Sequence, residues 1–389
     1  MSLSLNEYTR YGRQLIVSEF GLDSQLRLKS SRVLVVGAGG LGCPALQYLV
    51  GAGIGTIGIV DPDTVDVSNL HRQILHSTET VGMLKCESAK QQLQKINPLV
   101  EIVTYPTALS TDNSFDIFEQ YDLVLDCTDT PATRYLINDT AVLLGLTVVS
   151  GSGLKTEGQL SILNFDNVGP CYRCFYPTPP PPSSVTACSD GGVLGPVIGL
   201  VGVMMSLEAI KIISGYYHTE GAEFQPFLSM YNGYNPLQSL RTFKMRGRSA
   251  KCRVCNPATR EITKHVVQNE LDYAVWCGKM EYNVLSADER IPVERFAELK
   301  EPFVVDVRAK EQFSIVHLPN SVNIPLNALR RLETLEVPKS TPVYVICRFG
   351  NDSQLAVKHL KKIGYENTVD VIGGLNQWSQ KIDPLFPVY

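Results

Sequence analysis

The stretch that most narrows the fold is RVLVVGAGGLGCPALQYLVGAGIGTIGIVD, which runs from Arg32 to Asp61. A β-branched apolar run leads into Gly37, Gly39 and Gly42, spaced G-x-G-x-x-G. The apolar spacing then turns helical until a second strand ends at Asp61. This is a βαβ unit of about thirty residues, and it commits the chain to a parallel sheet. Glycines in those places let backbone N–H groups approach phosphate at a helix N-terminus, and an acidic residue closing the next strand is placed for a ribose hydroxyl. On this pattern alone a NAD-dependent oxidoreductase reads as well as an ATP-using enzyme.

The alternation continues. LKCESAKQQLQKIN and PATRYLINDTAVLLG predict helices, while EIVTYP, YDLVLDCTD and LTVVSGSG predict strands. The result is an α/β fold, a mainly parallel sheet with helices on both faces. From Leu160 the texture changes, and GQLSILNF and FLSMYNGYNPLQSLRTFKM alternate as antiparallel strands. Between them the run Pro179 to Pro182 can continue neither a helix nor a central strand, so an exposed crossing segment is expected. A second set of strands (FVVDVR, VYVICRFG, TVDVIGG) alternates with helical patterns near the end. At 389 residues the chain is too long for one core. The expected division is residues 1–260, a linker at 261–285, and a small α/β domain at 286–389.

The loop after Asp61 favours ATP over NAD. DPDTVDVSNLHRQILH places Asn69 and Arg72 just beyond the carboxylate, and Lys85 follows. Attack on the α-phosphate of ATP must neutralise a triphosphate and a departing pyrophosphate, which calls for cations and a carboxylate that can hold Mg²⁺. Asp129, at the carboxyl end of the strand YDLVLDC, is the candidate Mg²⁺ ligand.

RYGRQLIVSEFG, GAGGLGCPALQYLVGAGIGTIGIVDPDTVDVSNLHRQ, GMLKCESA and DCTDTPATRYLINDT together resemble the Rossmann-like adenylating domain of the MoeB/ThiF and ubiquitin-activating enzymes, over roughly Tyr8 to Cys255. The resemblance implies that Gly40, Asp61, Ser68, Asn69, Leu70, His71, Arg72, Lys85, Asp129 and Thr130 bind ATP. It also implies that Arg13 reaches the nucleotide of the partner subunit in a homodimer. Such enzymes adenylate the C-terminal glycine of a ubiquitin-like protein, turning a poor electrophile into one with a good leaving group.

The chain has ten cysteines and no secretion signal, so metal binding or catalysis explains them better than disulfides. CYRC supplies Cys171 and Cys174, and CRVC supplies Cys252 and Cys255. Two C-x-x-C knuckles are the ligand set of a closed tetrahedral zinc site, one structural Zn²⁺ per subunit. Cys188, in SVTACSDGGVLGPVIG, lies on a glycine-rich loop before an apolar helix, where a helix N-terminus lowers a thiol pKa. Its position resembles that of the thioester-forming cysteine of ubiquitin-activating enzymes. Cys43, Cys86, Cys127 and Cys277 read as packing residues.

The end of the chain resembles a single rhodanese, or sulfurtransferase, domain: VVDVRAKEQFSIVHLPNSVNIPL carries Asp306, Arg308, Glu311 and His317, and VIGGLNQW follows. Cys347, in VYVICRFGNDSQLAVKHL, falls on the family's persulfide-bearing cysteine. The loop Arg348, Gly350, Asn351 and Asp352 can turn successive N–H groups toward sulfur, with Gly350 and Asn351 permitting left-handed turns. The sixth residue after Cys347 is Ser353, whereas phosphatases on this scaffold have arginine there.

Adenylating and rhodanese domains in one chain resemble the eukaryotic activators of a ubiquitin-related sulfur carrier and their molybdopterin-synthase counterparts. SSVTACSDGG and CRFGNDSQ look most like the fungal form. The resemblance implies a carrier thiocarboxylate used in wobble-uridine 2-thiolation of tRNA and in protein conjugation, with sulfur from a cysteine desulfurase or another persulfide donor. A net charge of −4 argues against direct nucleic-acid binding. The most apolar run, Gly195 to Gly215, contains Glu208 and Lys211 and reads as a buried helix rather than a membrane span. A cytoplasmic location is expected. A non-catalytic scaffold that grips a ubiquitin-like protein is the competing reading.

Overall fold

A computed structural model describes residues 2–180, 191–277 and 284–389. The chain divides into two compact units, Met1–Lys279 and Met280–Tyr389. Cys188 lies outside the described residues.

The first unit opens with two helices, α1 (Leu5–Leu15) and α2 (Gly21–Ser30). Ser4 and Glu7 cap α1 reciprocally. Strands β1 (Arg32–Val36), β2 (Thr56–Val60), β3 (Glu101–Tyr105), β4 (Leu123–Asp126) and β5 (Thr147–Leu154) are parallel. Helices α3 (Gly42–Ala52), α4 (Lys85–Ile96), α5 (Ser114–Phe118) and α6 (Pro131–Leu144) connect them. β6 (Glu157–Leu163), β7 (Phe227–Asn232) and β8 (Leu240–Lys244) extend the sheet antiparallel, as their alternation predicts. The order is β3-β2-β1-β4-β5-β6-β7-β8, so the chain reverses direction across the sheet at β1. Ligands of such sheets bind where strands diverge, beyond the carboxyl ends of β1 and β4.

The apolar helix Gly195–Ser214 is long enough to cross a bilayer. Here it lies on β5, β6 and α3, burying Val197, Ile198, Val201, Met205 and Ala209. Gly202 sits against the backbone of Leu41, where any Cβ would collide with the carbonyl.

The expected linker is different in its first half. Residues Lys264–Asn269 and Tyr273–Trp276 are helices that pack on α6 within the first unit. They are too short to print a helical period in the sequence. Side-chain pairing holds them instead, as described below.

The second unit is a five-stranded parallel sheet of order β11-β10-β12-β13-β9, with β9 Arg290–Ile291, β10 Phe303–Asp306, β11 Val322–Asn323, β12 Val343–Ile346 and β13 Thr368–Val371. Its core includes Val305, Val343, Val345, Ala356, Val357, Leu360 and Tyr365.

Candidate nucleotide cleft, cysteine cluster and sulfur loop

A cleft of about 1550 Å³ opens at the reversal point of the first sheet. Gly37, at φ +100°, turns the chain out of β1, and a side chain there would meet the Cys127 carbonyl at 2.9 Å. Gly42 starts α3 so close to the Gly37 carbonyl that only glycine fits. Gly39, Gly40, Asp61, Asn69, Arg72, Lys85, Asp129 and Thr130 all line the cleft. Ser68, Leu70 and His71 belong to the same loop but do not line it. Arg13 is exposed on α1, away from this cleft.

The wiring of the cleft adds detail that the motif does not reveal. Both Asp61 oxygens are engaged: Oδ2 accepts from the Ala38 N–H at 2.8 Å and Oδ1 from the Asp63 N–H at 2.9 Å. The carboxylate expected at the ribose therefore also fixes the glycine loop. Burial raises its pKa against the pull of Lys85. Lys85 is itself buried, 2.8 Å from Asp63 and 4.0 Å from Asp61. Arg72 donates to the Asn69 side chain at 2.6 Å and to the Ser68 carbonyl at 3.3 Å, which fixes its direction. The Thr130 hydroxyl caps α6 by accepting from the Thr133 N–H at 3.4 Å, so it serves the helix end.

Sequence reasoning missed two lining residues. Arg134 donates to the carbonyls of Thr128 and Gly151, at 2.5 and 2.8 Å, and joins the two sides of the cleft. Gln73 is buried with its Oε1 unpaired among the described residues. A buried acceptor of this kind, at the rim of a cleft, has hydrogen-bonding capacity left for water or a ligand. Both sit inside quoted motifs, but only burial singles them out.

Cys171, Cys174, Cys252 and Cys255 converge, with all four sulfurs within 4.8 Å of one another. Neighbouring sulfurs are 3.8, 3.6 and 3.4 Å apart. A tetrahedron of thiolates about 2.3 Å from a central ion has edges of about 3.8 Å, so the donor set fits a metal ion. Four thiolates this close repel one another strongly without a cation among them. The Cys171 and Ser249 N–H groups donate to the Cys174 sulfur at 3.5 and 3.3 Å, an arrangement suited to a thiolate.

The knuckle helix α7 (Tyr172–Phe175) is anchored to α6 by a buried ion pair. Arg173 donates twice to Asp139, at 2.7 Å each. The Tyr273 hydroxyl donates to the same carboxylate at 2.7 Å, and the guanidinium is flanked by Tyr135 and Trp276 at 4.8 and 4.4 Å. Burial pulls the Arg173 pKa down, but hydrogen bonding and charge from Asp139 outweigh it and hold it above its ordinary value. This assembly draws residues 264–276 into the first unit.

In the second unit, Cys347 follows β12 and precedes the helix Asp352–Lys362. The Gly350 and Asn351 N–H groups both donate to its sulfur at 3.2 Å, and the Ser353 hydroxyl lies 3.2 Å from it. Gly350 adopts φ +78°, as expected. Asn351 does not: at φ −105° it remains right-handed, because one left-handed residue already turns both N–H groups inward. Burial raises the Cys347 thiol pKa, while Ser353 and the loop N–H groups oppose it and Asp352 adds to it. The glycines of GGLNQW explain themselves here. Gly374 lies against the Cys347 carbonyl with no room for a Cβ, and the Leu375 N–H donates to that carbonyl at 2.9 Å. Cys43, Cys86 and Cys127 are buried, and burial lifts the first two to about 12.

A glycine-looped parallel sheet with a cleft lined by both cations and carboxylates, followed by a cysteine loop on a second small sheet, defines an adenylating enzyme with a sulfur-handling domain. Residues 11–254 match the ThiF family model and residues 293–381 the rhodanese-like domain model, and the chain belongs to the ThiF family. Adenylyltransferase and sulfurtransferase uba4 of Ogataea parapolymorpha is 80% identical over 389 residues, covering 100% of both chains. The enzymes of the same description from Scheffersomyces stipitis and Candida albicans are 57% and 54% identical; they cover 99% and 100% of this chain and 90% and 91% of their own. This chain is likewise an adenylyltransferase and sulfurtransferase. The crystal structure of E. coli MccB with ATP shares the fold at TM-score 0.54 and 22% identity, covering 66% of this chain and 75% of that one.

Proposed function

We propose that the chain adenylates the C-terminal glycine of a ubiquitin-like sulfur carrier and converts it to a thiocarboxylate. The supporting observation is that one chain has both a cleft lined by Arg72, Lys85 and Asp129 and a sulfur loop around Cys347. The carrier carboxylate attacks the α-phosphorus of ATP, and pyrophosphate leaves with the electron pair. Gly39 and Gly40 offer close backbone approach to phosphate, and Arg72 and Lys85 offset its charge. Asp129 is the residue that would hold Mg²⁺, whose role is to neutralise the triphosphate. Persulfide sulfur on Cys347 then displaces AMP from the acyl carbon, directly or by way of a thioester on Cys188. A second thiolate attacking the Cys347 sulfur releases the thiocarboxylate and leaves a disulfide.

The four-cysteine cluster is assigned structural Zn²⁺, which would supply cross-linking and no open coordination position. The assembly is assigned as a cytoplasmic homodimer. The exposed apolar side chains Leu200, Leu207 and Leu240, grouped on one surface, support self-association, with Arg13 serving the partner's nucleotide. The product would supply tRNA 2-thiolation and protein conjugation, with persulfide from a cysteine desulfurase.

The test incubates the protein with ATP, Mg²⁺, a persulfide donor and a ubiquitin-like protein ending in glycine, and follows pyrophosphate release and carrier mass. Adenylate followed by a gain of sulfur in place of oxygen is expected. A nucleotide-bound protein that never adenylates such a carrier would sink the proposal.

A further inference from the structure

Asp306 and Arg308 form a buried ion pair in the second unit. Arg308 Nε donates to both carboxylate oxygens at 3.0 Å, and Nη2 donates to one of them at 2.6 Å. The remaining nitrogen, Nη1, donates to the Tyr389 hydroxyl at 2.6 Å. The Tyr389 ring in turn faces the Arg348 guanidinium, 4.7 Å from it, and Phe349 flanks the same guanidinium at 4.8 Å. Arg348 directly follows Cys347, and its carbonyl accepts from the Asn376 N–H at 2.9 Å. A connected series of contacts thus runs from a buried carboxylate, through one arginine and one ring, to Arg348 beside the sulfur nucleophile.

An arginine side chain has many rotamers, and fixing one of them costs entropy. An aromatic face tied through its own hydroxyl to a buried ion pair removes most of that freedom before any ligand arrives. We propose that Tyr389 is a positioning residue for sulfur loading, holding Arg348 where its charge meets an anionic sulfur donor approaching Cys347. This rests on the reading of Cys347 as the sulfur acceptor.

Thiosulfate is the probe. The Cys347 thiolate attacks its outer sulfur, the S–S bond of thiosulfate breaks, a Cys347 persulfide forms, and sulfite leaves with the electron pair. Cyanide then takes the outer sulfur as thiocyanate and restores the thiolate. An aromatic–guanidinium contact of this kind corresponds to about a tenfold effect on binding. In the full-length protein, Tyr389→Leu, which fills the space without a π face, should raise the thiosulfate KM about tenfold with kcat within about twofold. Tyr389→Phe, which keeps the ring but loses the tether to Arg308, should raise that KM by an intermediate factor of about threefold. Tyr389→Leu added to Arg348→Ala should change nothing further, because the tyrosine acts through the arginine. ATP–pyrophosphate exchange should be unaltered throughout.

Equal KM values for the Leu and Phe variants, or losses that add in the double variant, would overturn the proposal. Failure of the underlying reading is distinguishable: Cys347→Ser would then still form thiocyanate.

Discussion

Replacing Asp139 by alanine would leave the Arg173 guanidinium buried with its two hydrogen bonds gone, and the Tyr273 hydroxyl without its acceptor. Asp139 is fully buried and Arg173 is 4% exposed, so water cannot re-solvate either partner without opening the site. Removing one member of such a pair destabilises by about 3–5 kcal/mol, most of it from the charge left behind. Tyr273→Phe removes one hydrogen bond and should lower stability by about 1–1.5 kcal/mol. For a unit of this size, 1 kcal/mol shifts the midpoint by about 2–4 °C, so Asp139→Ala should lower the first unit's transition by roughly 6–20 °C. Calorimetry of the full chain is the assay, because two units can melt separately. Limited proteolysis within residues 264–276 supplies a second readout, since these helices are held through the same carboxylate. A replacement of both partners by apolar residues of similar volume should recover much of the loss. If Asp139→Ala melts within about 1 kcal/mol of wild type and resists protease equally, the anchoring role is refuted.

Other perturbations give sharp outcomes. Asp129→Ala should abolish ATP–pyrophosphate exchange while leaving thiosulfate sulfurtransfer intact; retained exchange would remove its assigned metal role. Gly374→Ala should cut sulfurtransfer at least about tenfold, because a methyl group there displaces the Cys347 carbonyl; steady-state thiocyanate formation measures it. Cys252→Ala should release bound metal, seen by elemental analysis, and lower the first unit's melting temperature. The Cys347 thiol pKa lies above the ordinary value, so at neutral pH it is protonated and its alkylation rate should climb about tenfold per pH unit through the ordinary thiol range. Ser353 lowers that pKa, so Ser353→Ala should push the titration higher still; an unshifted or lowered midpoint would contradict the assignment.

Much of this was legible in the chain because the signals were local. The glycine spacing, the strand patterns and the two knuckles each occupy a few consecutive residues, and backbone geometry forces those residue types. The antiparallel strands after Leu160 were equally plain from period-two alternation. What escaped was made at long range. Arg173 and Asp139 sit inside quoted motifs and Tyr273 outside any, but no motif pairs the three; their meeting is visible only after folding. The helices Lys264–Asn269 and Tyr273–Trp276 are shorter than the window in which a helical period shows, so the segment read as linker. Asp61 was assigned from its strand-end position to a ribose, yet its bonds to the Ala38 and Asp63 N–H groups depend on a loop shape that no spacing rule supplies. Gln73 drew no reading because a glutamine is ordinary until burial removes its solvent, and Ser353 was marked only as a position without arginine, its contact with the Cys347 sulfur showing only in the fold. Tyr389 belongs to no quoted motif, and its hydrogen bond with Arg308 shows only in the fold.

The cysteine cluster joins positions 81 residues apart, Cys171 with Cys252 and Cys174 with Cys255. With an ion bound it acts as a clasp, and the ends of the intervening chain stay together whatever that chain does. Doubling the length of a clasped span changes its closure entropy by only about 0.6 kcal/mol. Length changes within the clasped span therefore cost its closure little, and natural variants can retune its loops without loosening the clasp.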